Sequence, residues 1–160
     1  MSDRTFKKGP IEGVVVAKLR KYVDERGWLC EIYRTDEMGR SITPAMAYTS
    51  ISRPDVQRGP HEHVDQADYF VFQGPSNFLM VLWDNRPTSP TYNHMMRFVV
   101  GEDDPTSVVV PAGVVHGYRN VGGKDGLVIN LPDRLFMGEG KRSPIDEIRW
   151  EDDKTSPFHM

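Results

Sequence analysis

The apolar residues of this chain come in short runs separated by turn-forming residues. Runs rich in β-branched and aromatic residues predict strands. They lie at residues 13–19, 28–34, 46–52, 69–73, 78–84, 95–100, 107–111, 114–121 and 126–131. Segments rich in Gly, Pro, Asn and Asp separate them, and no stretch of about ten residues has a convincing helical period. This pattern predicts an all-β antiparallel sandwich or barrel.

Particular segments carry more specific predictions. Residues 69–84 are predicted to form a hairpin whose turn is GPSN, and residues 13–19 an edge strand or an N-terminal strand swapped between subunits. The polar segment from about residue 137 is predicted to be an irregular tail. A length of 160 residues without internal repeats predicts a single domain spanning residues 1–160.

The composition of the chain limits the classes of binding partner and the cellular locations that can be expected. The formal charge is -3 and the basic residues are scattered, which argues against nucleic-acid and anionic-membrane partners and favours a small molecule. No apolar run reaches the roughly 18 residues of a membrane span, and the N-terminal sequence lacks the apolar core of a signal peptide. Cys30 is the only cysteine, which excludes an intramolecular disulfide and fits a reducing compartment. These features predict a cytoplasmic protein.

Two segments carry candidate chemistry. The first, RGPHEHVDQADYF, is a mostly polar loop in which His61 and His63 would point to the same side of an extended backbone. Asp68 could add a carboxylate, with Gln66 as a weaker neutral alternative. The second, VPAGVVHGY, carries His116 and could pair with the first segment in a barrel. Three histidines and a carboxylate suit Fe(II), Mn(II), Ni(II) or Zn(II).

A metal-free interpretation of the same residues stays open. A histidine in such a pocket can transfer protons or make structural hydrogen bonds without any metal. Spacing alone does not decide between these alternatives.

The two segments resemble the paired motifs of the cupin superfamily, whose small β-barrels often hold a metal through HxH, a carboxylate and a distant histidine. Carried over, this resemblance implies a jelly-roll fold and the ligand set His61, His63, Asp68 and His116. The carboxylate is Asp here, where the superfamily usually has Glu.

A second resemblance covers nearly the whole chain. DERG followed by Glu31, the S-x-S at 50–52, RGPH, DNRPTSPT, VPAGVVHGY and IRWEDD occur in the order typical of the dTDP-4-dehydrorhamnose 3,5-epimerase family. The resemblance implies a homodimeric cupin-type jelly roll. It also implies inversion of carbons beside the 4-keto group of a nucleotide-linked deoxysugar, with no metal or other cofactor.

The same resemblance assigns roles to individual residues. His61 matches the catalytic base, and Asp152, with Asp153 next to it, matches the aspartate that orients this base. Arg58 matches a diphosphate contact, while Arg26 and Glu31 match residues that hold the nucleotide, often across a subunit interface. The full set matched to substrate-binding positions is Arg26, Glu31, Arg58, His116 and Asn130.

Two catalytic residues of that family have no match. Its lysine near the ketone falls at or beside Ala67, and its tyrosine falls at or near Asn130. Three hypotheses follow: an epimerase or isomerase of polysaccharide or deoxysugar biosynthesis, a metal-dependent cupin oxygenase or isomerase, and a non-catalytic sugar-nucleotide-binding protein. In the second hypothesis a divalent ion would replace the lysine as the electrophile.

Overall fold

The computed structural model describes residues 4–38 and 41–160. Residues 1–3 and 39–40, which belong to the predicted domain, lie outside the described residues. The strands are β1 Lys7–Lys8, β2 Val15–Lys18, β3 Lys21–Asp24, β4 Gly27–Cys30, β5 Tyr48–Ser52, β6 Gln57–Glu62, β7 Asp68–Phe72, β8 Asn77–Asp84, β9 His94–Gly101, β10 Thr106–Val110, β11 Val114–Asn120, β12 Gly126–Asn130 and β13 Ile148–Arg149. Within the described residues, helical structure comprises α1 Thr35–Met38 and 3-10 turns at Glu139–Lys141 and Trp150–Asp152.

The strands of the described residues form two main sheets. One has the order β1-β9-β8-β11-β6-β13 and the other the order β2-β10-β7-β12-β5, while β3 and β4 form a separate hairpin. Neighbouring strands are antiparallel except for the short parallel pair β1 and β9. This architecture confirms the all-β antiparallel sandwich predicted from the hydrophobic pattern.

Successive side chains of a strand point to opposite faces of its sheet, and the apolar side chains on the inner faces form the core between the two sheets. In β7, Phe70 and Phe72 point inward and pack with Met80 and Tyr118 of the opposite sheet. Their neighbour Val71 points outward into a smaller cluster on the other face. Each fully buried side chain of this size stabilises the fold by about 1.5 to 3 kcal/mol, so the inter-sheet layer holds the sandwich together.

The hairpin predicted for residues 69–84 is wrong. β7 pairs with β10 and β12, whereas β8 pairs with β9 and β11 of the other sheet. Nearly every residue of both strands is buried, because each strand occupies the middle of its own sheet. The GPSN segment instead carries the chain between sheets, with Gly74 and Ser76 in the left-handed region at φ 95° and 74°.

The polar segment around His61 was expected to be a loop, but residues 57–62 form β6 between β11 and β13. Hydrophobic alternation does not reveal this strand because one of its faces lines a polar cavity. The run at 13–19 contains β2, which lies at the edge of its sheet and pairs with β10.

The C-terminal segment contains only short elements after β12, and it packs closely on the sandwich. Its strand β13 pairs with β6, with Arg149 opposite His61. Further on, Phe158 packs against Trp83 and Trp150 on the outer face of the six-stranded sheet. Among the described residues, no helix is long and apolar enough to cross a membrane.

Candidate active site

The candidate site lies at one end of the sandwich, where several strands begin or end. Asn130 is the last residue of β12 and stands directly opposite Tyr48, the first residue of β5. Asp68 is the first residue of β7, which pairs with β12. Because these neighbours are antiparallel, their polar ends meet at the same edge of the sheet.

The opposite sheet contributes the histidines. His61 on β6 and His116 on β11 are directly paired in the antiparallel ladder, and their ring centroids are 4.5 Å apart. His63 follows immediately after β6, with its ring centroid 5.6 Å from that of His61. The predicted pairing of the two histidine-bearing segments is therefore confirmed.

A buried carboxylate connects the two sheets. Oδ2 of Asp68 lies 3.1 Å from Nε2 of His63 and 3.3 Å from Nε2 of His116. Its Oδ1 accepts hydrogen bonds from the side-chain amides of Gln66, at 2.9 Å, and Asn130, at 2.8 Å. Burial would raise the pKa of Asp68, but His116 and His63 hold it well below its usual range. Asp68 and Gln66 thus belong to one network instead of being alternatives.

His63 is held as a cation by its partners. Its Nδ1 faces the backbone carbonyl of Asp146, which can only accept, and its Nε2 faces Asp68. Burial alone would lower the pKa of His63, but the hydrogen bond and charge of Asp68, together with Asp146, raise it to about 9. The Asp146 carboxylate also accepts the backbone N–H groups of residues 64–66, which fixes this turn.

His116 presents an unpaired nitrogen. Its Nδ1 donates to the carbonyl of Val114 at 2.9 Å, and within the described residues its buried Nε2 has no hydrogen-bond partner. The contact of this nitrogen with Asp68 is close but not aligned as a hydrogen bond.

These residues also form a potential metal cradle. One ligand atom from each of His61, His63, Asp68 and His116 lies within 4.8 Å of all the others. Imidazole nitrogens and a carboxylate oxygen are ligands that Fe(II), Mn(II), Ni(II) and Zn(II) accept. The donor set therefore fits the metal hypothesis in chemistry and in spacing.

His61 has a different carboxylate neighbour, Glu147. Its Nδ1 lies 3.8 Å from Oε1 of Glu147, and both side chains are largely buried, with 17% and 15% exposed. Burial, reinforced by the charges of His116 and His63, lowers the pKa of His61 to about 2. The imidazole is therefore neutral and has a lone pair available to accept a proton.

Asp152, expected to orient His61, lies elsewhere. It is exposed at the end of the 3-10 turn Trp150–Asp152, outside the cavity lining. The carboxylate beside His61 belongs to Glu147, just before β13. Pairing of β13 with β6 brings this residue to the cavity, so one extended segment positions Glu147 and leaves Asp152 past its end.

A cavity of about 1410 Å³ opens beside these groups, lined by residues of β5, β6 and the C-terminal segment. Arg58 lines it and donates to the carbonyl of Ile51 at 2.8 Å and to Ser52 Oγ at 3.2 Å. Further cations on the lining, which sequence patterns did not single out, are Arg134, Lys141 and Arg149.

Other expected substrate residues do not reach this cavity within one chain. Arg26 is exposed at the β3–β4 turn and pairs with Asp24, and Glu31 pairs with Arg34. Asn130 is fully buried behind the cavity wall, where its side chain is committed to neighbouring groups. It supports the wall and does not face a ligand.

Sequence patterns also missed Tyr48 and Glu147. Tyr48 looked like an ordinary strand residue, and only the register that sets it opposite Asn130 reveals its position. Glu147 immediately precedes the IRWEDD motif, but no periodicity places that segment next to His61.

Comparison with known proteins gives concordant matches. The family model for dTDP-4-dehydrorhamnose 3,5-epimerase matches residues 8–154. The probable low-salt glycan biosynthesis epimerase Agl13 of Haloferax volcanii is 34% identical over 93% of this chain and 97% of that protein. The spore coat polysaccharide biosynthesis protein SpsL of Bacillus subtilis is 36% identical over 86% of this chain and 91% of that protein.

Among solved structures, the dTDP sugar isomerase from Desulfovibrio desulfuricans superposes with a TM-score of 0.79 at 24% identity, covering 93% of this chain and 91% of that one. This likeness, together with the two-sheet architecture, confirms the predicted cupin-type jelly roll.

Proposed function

The chain belongs to the dTDP-4-dehydrorhamnose 3,5-epimerase family, and from this premise we propose that it inverts a carbon beside the ketone of a nucleotide-linked 4-keto-6-deoxyhexose. The product would serve polysaccharide or deoxysugar biosynthesis, in keeping with the names of its relatives in Haloferax volcanii and Bacillus subtilis. The observation that carries the proposal is the neutral His61 on the cavity wall with the Glu147 carboxylate 3.8 Å away.

In this proposal His61 removes the proton next to the ketone. Its lowered pKa keeps it unprotonated before substrate binds, but a base must also hold the proton it takes. Glu147 supplies the balancing charge once substrate closes the 3.8 Å gap to hydrogen-bond distance, as catalytic contacts often tighten on binding.

The negative charge that develops on the ketone oxygen needs a cation or donor. The lysine of the family has no counterpart at or beside Ala67. We assign its electrostatic role to the imidazolium of His63, which its two acceptors hold in the charged state.

The cationic rim suits a nucleotide diphosphate. Arg58 lies on β6 close to His61, and Arg134 and Lys141, which follow β12 in the chain, also line the cavity. Guanidinium groups bind phosphate oxygens through paired hydrogen bonds, so we propose that Arg58 contacts the diphosphate.

Nuclear magnetic resonance of the product tests this function. Incubation of the protein with a dTDP-linked 4-keto-6-deoxyhexose is expected to yield a sugar inverted at a carbon next to the ketone. An unchanged sugar that nevertheless raises the melting temperature would contradict the proposal and indicate a binding protein instead.

A second candidate function is a metal-dependent isomerase or oxygenase. It is favoured by the cradle of His61, His63, Asp68 and His116 and by Nε2 of His116, which has no hydrogen-bond partner in the part of the chain that the structure describes. A bound divalent ion would act as a Lewis acid that polarises a carbonyl. On this alternative His63 gives up its Nε2 proton to become a ligand, and Asp68 supplies the carboxylate.

Elemental mass spectrometry of protein purified without chelator tests the alternative. About one equivalent of metal, retained in His94→Ala but lost in His63→Ala and His116→Ala, would support it. His94 is the matched control because its Nδ1 bonds to the carbonyl of Pro10, away from the cradle. No bound metal after soaking with Fe(II), Mn(II), Ni(II) and Zn(II) would eliminate it.

We also propose that the protein is a homodimer. Arg26 and Glu31 match nucleotide-binding positions but lie outside the cavity of their own chain, so a second copy is needed to bring them to a site. The neighbouring hairpin β3–β4 is apolar and exposed, with Val23 76% and Leu29 62% accessible, which suits a subunit contact.

The single cysteine and the small-molecule substrate are consistent with a cytoplasmic location.

A further inference from the structure

Inversion of a carbon requires two proton-transfer groups on opposite faces of the substrate. If the group that removes the proton also returns it, the original configuration is restored. An epimerase therefore needs a donor on the wall opposite its base. This inference rests on the proposed function, in which His61 of the six-stranded sheet is the base.

Tyr48 occupies such a position. It lies on β5 of the five-stranded sheet and lines the same cavity as His61, which lies on β6 of the other sheet. The residue is 45% exposed and forms part of the cavity lining, so its side chain can be reached by a ligand in the cavity. Base and phenol thus stand on facing walls of one cavity.

The hydrogen bonds of Tyr48 favour proton donation. Its oxygen accepts from the side-chain amide of Asn130 at 2.9 Å. Within the described residues, the phenolic proton itself is not committed to an acceptor. The amide that donates to this oxygen would stabilise the phenolate that forms when the proton leaves, so the contact is directed at the charge developing during donation.

The protonation state agrees with this role. Burial raises the pKa of Tyr48 above its ordinary value, and the hydrogen bond from Asn130 offsets only part of that effect. At neutral pH the phenol therefore retains its proton until an enolate carbon accepts it.

The register explains how a phenol can reach this place. The tyrosine implied by the family resemblance falls at or near Asn130, at the end of β12, and Tyr48 is the direct cross-strand partner of Asn130. Side chains opposite each other in an antiparallel pair lie about 5 Å apart at Cβ. The phenol of Tyr48 on β5 can therefore lie close to the place where the family has a tyrosine on β12.

We propose that Tyr48 is the catalytic acid that delivers a proton to the face of the substrate opposite His61. In the first step His61 takes the proton from the carbon beside the ketone, and the C–H electron pair moves into the enolate. In the second step the enolate carbon forms a new C–H bond with the proton of Tyr48, and the electrons return to restore the ketone. Solvent then reprotonates the phenolate and removes the proton from His61, so no oxidant or reductant is needed.

A second phenol on the cavity lining serves as the comparison. Tyr118 is nearly fully buried and its hydroxyl is 3.1 Å from Ser50 Oγ. Burial raises the pKa of Tyr118 to about 12. Tyr118→Phe therefore removes a cavity phenol without removing the open donor.

The test follows solvent deuterium and product configuration together, using a dTDP-linked 4-keto-6-deoxyhexose in heavy water. In Tyr48→Phe, inversion is expected to fall about 100-fold or more, while deuterium exchange with retained configuration continues through His61. Tyr118→Phe should invert the substrate at close to the rate of the unaltered protein.

The outcomes separate this inference from the proposed function. Inversion by Tyr48→Phe within about threefold of the unaltered protein, a difference under about 1 kcal/mol, would overturn the role of Tyr48 and leave the function intact. Absence of both exchange and inversion in the unaltered protein would overturn the proposed function, and this role with it. Continued exchange in Tyr48→Phe also shows that the variant is folded.

Discussion

At the scale of single residues, two carboxylates contact the three histidines of the candidate site, and each has a different role. Asp68 is fully buried and fixes His63 beside His116, whereas Glu147 stands next to His61 at a distance that a bound substrate can close. The HxH spacing and the paired motifs were sufficient to predict that His61, His63, Asp68 and His116 converge. The identity of the second carboxylate was not predictable, because it depends on how an irregular C-terminal segment returns to β6.

Replacement of this second carboxylate gives a direct prediction. Glu147→Gln keeps the size of the side chain but removes the charge that balances protonated His61, so kcat should fall by about tenfold or more with KM little changed. Asp152→Asn is the matched control, since its side chain is exposed and off the cavity lining. Steady-state kinetics would decide the assignment: a large loss in Asp152→Asn with none in Glu147→Gln would restore the residue expected from the family motif.

At the scale of elements, β6 is the strand that makes the site. It lies between β11 and β13 and brings Arg58 and His61 to the cavity, yet its polar sequence has no strand-like hydrophobic alternation. The apolar strands were predictable because their side chains face the core. The sheet assignment of β7 and β8 was not, because a short turn can either close a hairpin or carry the chain to the other sheet.

A glycine in β6 tests how tightly this strand is fixed. Gly59 has φ 80°, and an added Cβ would lie 2.6 Å from the backbone oxygen of His116. Gly59→Ala should therefore destabilise the fold by about 1 to 3 kcal/mol and displace the neighbouring His61, lowering both the melting temperature and activity. Gly123→Ala is the control, because an added Cβ there meets no atom within 4 Å. Equal melting temperatures for the two variants would show that β6 can shift without cost.

At the scale of the whole molecule, the jelly roll supplies a cavity between two walls, and the proposed second subunit completes it. The sandwich architecture could be predicted from the spacing of the apolar runs. The exposure of the apolar hairpin β3–β4 could not be predicted, because a sequence pattern cannot distinguish a strand that covers a core from one that covers another subunit.

Light scattering coupled to gel filtration would measure the assembly. A particle of twice the 18.3 kDa chain mass is expected, and the double variant Val23→Lys, Leu29→Lys should dissociate it because two charges would enter an apolar contact. Val99→Lys, at an exposed valine on β9 of the six-stranded sheet, should remain dimeric. A monomeric unaltered protein with full activity would contradict the shared site.

Epimerisation through His61 can be tested by deuterium incorporation from heavy water into a dTDP-linked 4-keto-6-deoxyhexose, followed by mass spectrometry for the unaltered protein and for His61→Asn. We predict carbon-bound deuterium next to the ketone, formed at least about 100-fold more slowly by the variant, whose folding is checked by its melting temperature. Exchange at an undiminished rate in folded His61→Asn would contradict the role of His61 as the base, and no exchange by the unaltered protein would contradict epimerisation of this substrate.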